Sequence, residues 1–296
     1  MKVLEYSFPA VASRSASFTI YPLGDVHIGA MNCGEKQFVK VVKMIKDDPT
    51  AYWFGGGDLL DAVILQDQKR FDPNSLPSWM LTGSSTSVRK NLRDILAAQK
   101  ARLLRILEPI KEKCIGLIEG NHEYSIMKYH NRDLMTDLCD ALDTVNLTDC
   151  CFVRFKFSRE KGDANPDTIT VRMFAAHGHG GGRTAGSEPN HLARLASDKV
   201  CELVLRGHSH TQYIMPPLAR LTIPTAGTLS EDAASTILRA ANWGCYLRTY
   251  ASGPSTYDSR ATYPVRPMST VRVHITPFRV KGMRTQPKVT IEELEL

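Results

Sequence analysis

The chain has 296 residues, 43% hydrophobic and 23% charged, with a formal charge of +6. That profile suits a globular protein with a large buried core and excludes disorder, collagen and coiled coil as descriptions of the whole. The mild basic excess is compatible with an anionic partner without identifying one.

Seven cysteines (Cys33, Cys114, Cys139, Cys150, Cys151, Cys201 and Cys245) are odd in number, form no C-x-x-C pair and lie mostly in apolar runs. This usage fits a reducing compartment. The amino terminus lacks the apolar stretch of a signal peptide, and no window approaches the roughly 18 apolar residues of a membrane span. A cytoplasmic protein without a membrane partner is therefore expected.

Five short stretches rich in β-branched and aromatic residues each stop at a Gly- or His-containing turn. Such stretches read as strands. Phe18-Thr19-Ile20-Tyr21 runs into Gly24-Asp25-Val26-His27, and Ala51-Tyr52-Trp53-Phe54 into Gly55-Gly56-Gly57-Asp58. From Gln66 to Ser87 there is little periodicity, which predicts a long loop of the kind that often serves as a lid. Within it Lys69, Arg70, Phe71 and Trp79 offer either a stacking surface for single-stranded nucleic acid or aromatics that pin the loop down. Val88 to Ile110 has apolar positions at helical spacing behind a Ser/Thr-rich cap, with Arg89, Lys90, Arg93, Lys100, Arg102 and Arg105 on a solvated face.

The third strand, Cys114 to Ile118, leads into Gly120-Asn121-His122-Glu123. A fourth, Thr168 to Ala175, ends at His177-Gly178-His179, and a fifth, Cys201 to Leu205, at Gly207-His208-Ser209-His210. In an open α/β sheet, loops at the carboxyl ends of strands gather into one crevice, where ligands bind. Six of the nine histidines (His27, His122, His177, His179, His208 and His210) fall in these turns. Imidazole with carboxylate is a ligand set for Mn, Fe, Zn or Ni, and the lack of thiolate there argues against structural zinc. His130, His191 and His274 lie outside the turns and read as structural.

In this order the set Asp25-x-His27, Gly57-Asp58-x-x-Asp61, Gly120-Asn121-His122-Glu123, His177-Gly178-His179 and Gly207-His208-Ser209-His210 resembles the calcineurin-like metallophosphoesterase family, and within it the Mre11/SbcD branch. Pro224 to Leu229 stands where that family usually carries an Asn-Pro-Gly-Ser turn; it keeps the Gly and a hydroxyl but lacks Asn-Pro. The resemblance implies an α/β fold in which two mixed β-sheets form a sandwich flanked by helices (α-β-β-α layers), with a dinuclear metal site at the strand ends. It implies one metal held by Asp25, His27, Asp58 and His210, and a second by Asp58, Asn121, His177 and His208, with Asp58 bridging. Manganese is the expected ion at both positions, with Fe, Zn, Ni or Mg as alternatives. His122 is then the general acid beside a metal-activated hydroxide. Asp61 orients a neighbouring histidine, and His179 contacts a ligand residue or substrate.

The implied reaction is phosphoester hydrolysis. Asn121-His122, the complete Gly-His-x-His turn and the basic charge point to a nuclease or polynucleotide phosphodiesterase acting on nucleic acid or nucleotides. A small-molecule phosphatase or cyclic-nucleotide phosphodiesterase is the alternative, and an inactive metal-binding scaffold a more remote one. The Gly-rich turn Gly178 to Gly186, with Arg183, brings amides and a guanidinium to a phosphate or is a loop without substrate role. The 86 residues after His210 lead us to expect a stand-alone enzyme. Residues 1–245 are expected to form the catalytic domain with a loop-rich insertion near 66–87. Residues 246–296, with eight basic against four acidic residues, are expected to be a basic β-rich extension packed on it. The oligomeric state is open.

Overall fold

In the computed structural model of the protein, residues 1–67, 71–159, 167–180, 184, 186–221, 234–250, 259, 262, 264–281, 284, 285 and 287–296 are described. Their elements, in chain order, begin with β1 (Lys2–Ser7), β2 (Phe18–Leu23), α1 (Glu35–Asp47), β3 (Ala51–Gly55), α2 (Ser78–Leu81), α3 (Ser85–Arg93), α4 (Ile95–Leu107), β4 (Cys114–Leu117), α5 (Asn121–His130) and α6 (Leu134–Leu142). They continue with β5 (Cys150–Arg159), β6 (Asp167–Ala176), α7 (Ser187–Ser197), β7 (Leu203–Arg206), β8 (Tyr213–Leu221), β9 (Ala234–Asn242), β10 (Ser269–Thr276), β11 (Val280–Lys281), β12 (Arg284–Thr285) and β13 (Lys288–Glu295).

The strands form two large mixed sheets, one ordered β1-β5-β6-β7-β9-β8 and the other β13-β10-β2-β3-β4. Period-2 alternation assigns each strand two faces. Ile20, Phe54, Val153, Phe155, Met173, Leu205, Val271 and Val273 from both sheets meet in one buried cluster, the filling of a sandwich. The neighbouring positions Tyr21, Leu23, Trp53 and Leu117 pack outward against Phe38, Val41, Leu103 and Leu138 of α1, α4 and α6. On the opposite outer face Phe174, Val204 and Ala240 pack against Leu192 and Ala196 of α7. The layers are therefore helix, sheet, sheet, helix. β2, β3 and β4 run parallel, as do β6 and β7. All five deliver their carboxyl ends to one edge of the sandwich, while the rings of Phe8, Phe18, Tyr52 and Phe157 cluster at the other.

Three expectations change. The helix expected over Val88 to Ile110 is two helices, α3 and α4, broken at Asp94, whose carboxylate caps α4 by accepting from Ala97 N at 2.9 Å. A carboxylate that satisfies an orphan helical donor competes with continuation of the helix. The loop expected over Gln66 to Ser87 carries a 3-10 turn at Pro73–Ser75, α2 and the start of α3. Its aromatics pack down: Phe71 and Trp79 lie against Leu76, Met80 and Ile95, and the Arg102 guanidinium covers the Trp79 ring at 5.3 Å. Lys69 and Arg70 lie outside the described residues, as do Arg183 and Pro224 to Leu229. The last of the expected strands begins at Leu203 rather than Cys201.

All seven cysteines are free thiols, and burial pushes Cys114, Cys139 and Cys151 each up to about 12. No described helix is long and apolar enough to cross a membrane.

Candidate metal centre

Each strand of the parallel edge ends in a turn that a bulky side chain would disrupt. Gly24, Gly56 and Gly207, from three separate turns, close over the indole of Trp243. A Cβ on any of them would stand 2.3–2.6 Å from that ring. Gly57 has φ +88°, and a Cβ there would meet His177 Nδ1 at 2.6 Å. After these glycines the backbone turns left-handed at polar residues: Asp25 (φ 50°), His27 (53°), Asp58 (50°), His208 (72°) and His210 (57°). Asp and His tolerate this region better than most residues, yet five such positions at one place are a concentration of strain typical of a functional site.

Two carboxylates sit at the centre. Asp25 is fully buried; its Oδ2 accepts from Trp243 Nε1 at 2.7 Å and from His208 N at 3.0 Å. Asp25 Oδ1 is buried with no hydrogen bond of normal geometry among the described residues and faces His210 Nε2 at 3.4 Å. Asp58 Oδ1 accepts from His122 N at 2.9 Å, in the first turn of α5, where the helix dipole favours negative charge. Asp58 Oδ2 looks into the site, 3.3 Å from His177 Nε2 and 3.8 Å from His27 Nε2.

The imidazoles surround them. His177 Nδ1 lies 2.9 Å from the Gly56 carbonyl, which can only accept, so Nδ1 carries a hydrogen and Nε2 is the nitrogen turned to the centre. Nε2 lies 3.1 Å from Asn121 Oδ1, 3.2 Å from His208 Nδ1 and 3.3 Å from the Asp58 carboxylate, which draws a proton onto it when no metal is bound. On the other side of Asp58, His27 Nε2 and His210 Nε2 approach to 3.2 Å. Among the described residues, ligand-capable atoms come together in three sets: Asp25, His27 and His210; His27, Asp58 and His122; and Asp58, His177 and His208. So many ligand-capable atoms converging on two buried carboxylates make a donor set that fits divalent cations.

The charges agree with that reading. Against the effect of burial, Asp58 with its hydrogen bond holds the His177 imidazole up at about 10. Burial and the charge of His177 bring His208 down to about 4. Burial and His122 push His27 well below its ordinary value. Burial opposes the charges of Asp25 and Asp58, but the surrounding histidines hold both below the usual carboxylate range.

The structure gathers Asp25, His27, Asp58, Asn121, His177, His208 and His210 into one centre. His122 lies beside it, its ring centroid 4.6 Å from that of His27. Its Nδ1 meets the Asp61 carbonyl in a short contact. The Asp61 carboxylate lies 3.8 Å from His27 Nδ1 and 3.9 Å from His122 Nδ1. His179 falls outside the three sets; it is exposed and stacks on His208 with centroids 6.0 Å apart. His274, away from the centre, lies 3.2 Å from both Thr19 Oγ1 and Glu292 Oε2.

Two supports escaped the sequence reading. Glu123, 1% exposed, accepts from the amides of Asp58, Leu60 and Gly120 at 2.9, 3.0 and 3.2 Å, knitting two of the turns together. Burial and the Asp58 charge raise its carboxyl to about 7. Its place at the third position of α5 behind Gly120 is the capping-box signal that could have found it. Trp243 carries no local signal, since only the tertiary fold brings it under the glycines.

No protein-family model and no curated protein matches the sequence. Among solved structures the chain is similar to a single and a double mutant of Vps29 from Entamoeba histolytica. Each is 11% identical over 94% of this chain and 99% of the other, with TM-scores of 0.34 and 0.35. It is also similar to Vps29 from Chaetomium thermophilum, 11% identical over 94% of this chain and 97% of that one, at a TM-score of 0.34.

Proposed function

We propose that this protein is a dinuclear metal-dependent phosphoesterase that cleaves phosphodiester bonds, with a polynucleotide or nucleotide as substrate. The observation that carries the reading is the placement of Asp58, whose carboxylate serves the His27 side and the His177 side of one buried centre. The ordered motifs that resemble the metallophosphoesterase family supply the reaction class.

Two divalent ions, manganese first among them, would supply an activated water and neutralise the phosphoryl oxygens. Asp25, His27, Asp58 and His210 would hold one ion, and Asp58, Asn121, His177 and His208 the other. Trp243 Nε1 and the His208 amide fix the Asp25 carboxylate, and the Gly56 carbonyl fixes the His177 ring, so the ligand atoms are aimed before anything binds. His122 keeps its Nδ1 hydrogen on the Asp61 carbonyl, so the imidazolium form would pass its Nε2 proton to the leaving oxygen and return to the neutral ring. At 18% exposure that ring is reachable by substrate.

Manganese-loaded full-length protein should contain close to two ions per chain and hydrolyse a bis-aryl phosphodiester. Asp58→Asn should lose metal and at least about a hundredfold in kcat/KM. His122→Asn should keep its metal and lose about 10²- to 10⁴-fold in kcat. A metal-loaded protein without turnover would replace the enzyme reading with that of a binding scaffold, and a His122→Asn variant of wild-type rate would remove the general-acid assignment. Steep salt dependence of binding supports a polyanionic substrate; a shallow slope would favour a monoester or cyclic nucleotide.

A further inference from the structure

Next to the metal centre, on the α7 side of the His177-Gly178-His179 turn, lies a pocket of ≈ 370 Å³. Its polar lining comes from His179, His191, Arg194, Asp198, Lys199 and Arg206. Arg206 is its built component. It ends β7 and is only 4% exposed, and its guanidinium fills the space a side chain at Gly178 would need, with Nε and Nη2 3.2 Å from that absent Cβ. Arg206 Nε is buried with no hydrogen-bond partner among the described residues. Nη2 makes a long bond of 3.4 Å to the Gly180 carbonyl, and the nearest carboxylate, Glu188, stands 4.0 Å from Nη1. Asn242 donates to the other oxygen of Glu188 at 2.6 Å and holds that carboxylate back, so Oε1, which faces Arg206, is also buried without a hydrogen bond among the described residues.

A buried guanidinium with an unsatisfied donor is costly unless an anion completes it, and a phosphate matches its fork of donors. Arg194 from α7 and Lys199 just beyond it add positive charge at the rim, where the Lys199 ion pair with the 72%-exposed Asp198 is too solvated to compete strongly. The pocket opens beside the reacting centre. Ala176, which precedes His177, pairs in register with Arg206, and Arg206 precedes His208 by two residues, a Cα separation of at most about 7.6 Å. His179 lines the pocket and stacks on His208, joining the two.

We propose that this pocket is a phosphate subsite that seats the phosphate group next to the scissile one in a substrate carrying at least two. The subsite role rests on the phosphoesterase reading above, whereas the pocket's affinity for phosphate does not, and two measurements separate them. In the first, the full-length protein is titrated calorimetrically with inorganic phosphate, metal-loaded and again after chelation. The wild type should retain a binding site after chelation, and Arg194→Glu/Lys199→Glu should weaken it at least tenfold. No binding after chelation, or binding indifferent to charge reversal, would overturn the proposal.

In the second, cleavage of a dinucleotide with a terminal phosphate is compared with the same dinucleotide lacking it. The wild type should prefer the phosphorylated form at least fivefold in kcat/KM, through KM, and the charge-reversed variant should lose that preference. Equal handling of both forms by the wild type would reduce the pocket to a free-phosphate site and overturn the subsite role. Absence of all cleavage with phosphate binding intact would do the same through failure of the phosphoesterase reading, leaving the anion pocket standing.

Discussion

At the scale of single residues, the centre sets opposing protonation demands on neighbouring imidazoles. Without metal, Asp58 draws a proton onto His177 Nε2 and lifts that ring to about 10, while burial and the charge on His177 depress His208 to about 4. His177 therefore contributes stability that is fully present below its unfolded value near 6.5 and is lost as pH rises through about 10. His208 acts in the other window: the unfolded chain takes up its proton near 6.5 and the folded chain only near 4, so stability falls as pH drops between them. The urea midpoint of chelated protein should thus climb from pH 4 to a maximum near 6.5 and decline towards pH 10, and His177→Asn should remove the alkaline decline. Manganese should remove it too, because metal displaces the same proton. A midpoint flat from pH 6.5 to 10 in chelated wild type would contradict the Asp58–His177 pairing.

At the scale of elements, the break between α3 and α4 is a capping event, and its energetic weight is measurable. Asp94→Ala removes the acceptor for Ala97 N and should cost about 1 kcal/mol in a denaturation experiment while leaving metal content unchanged. No loss would mean that packing of Ile95 and Leu96 alone starts α4. The same position shows how far the sequence could be read. The apolar spacing from Val88 to Ile110 identified a helical region and its buried side, because periodicity reports burial. It missed the break, because Asp94 occupies an exposed position that a continuous helix also tolerates. The strands of the parallel edge were legible, being short apolar runs stopped by glycine, and the turns that carry Asp25, Asp58, Asn121, His177 and His208 followed directly from them. What stayed hidden depends on contacts between segments distant in sequence, as with the Trp243 indole beneath Gly24, Gly56 and Gly207. The Arg206 guanidinium below Gly178 is a second case.

At the scale of the molecule, the described strands of the basic carboxyl-terminal segment are built into the second sheet. β10 pairs antiparallel with β2, setting Val273 opposite Ile20, and β13 closes that sheet. The cations are partly used in doing so: Arg272 pairs with Glu292 at 3.0 Å, and Arg266 Nη1 donates to the Ser209 carbonyl at 2.6 Å, inside the turn that carries His208 and His210. Tyr246 adds a second tie, its amide donating to the Asp25 carbonyl at 3.0 Å and its own carbonyl accepting from Gly34 N at 2.6 Å. Val271, Val273, Ile275, Phe278 and Val289 are all buried. At about 1.5–3 kcal/mol for each side chain, their burial is comparable to the roughly 5–15 kcal/mol net stability of a whole domain. A chain ending at residue 245 should therefore lack a cooperative urea transition and near-ultraviolet circular dichroism, and should not retain manganese. A truncated protein that unfolds cooperatively and holds its metal would show instead that residues 1–245 fold alone and that the carboxyl-terminal strands are an addition to a complete domain.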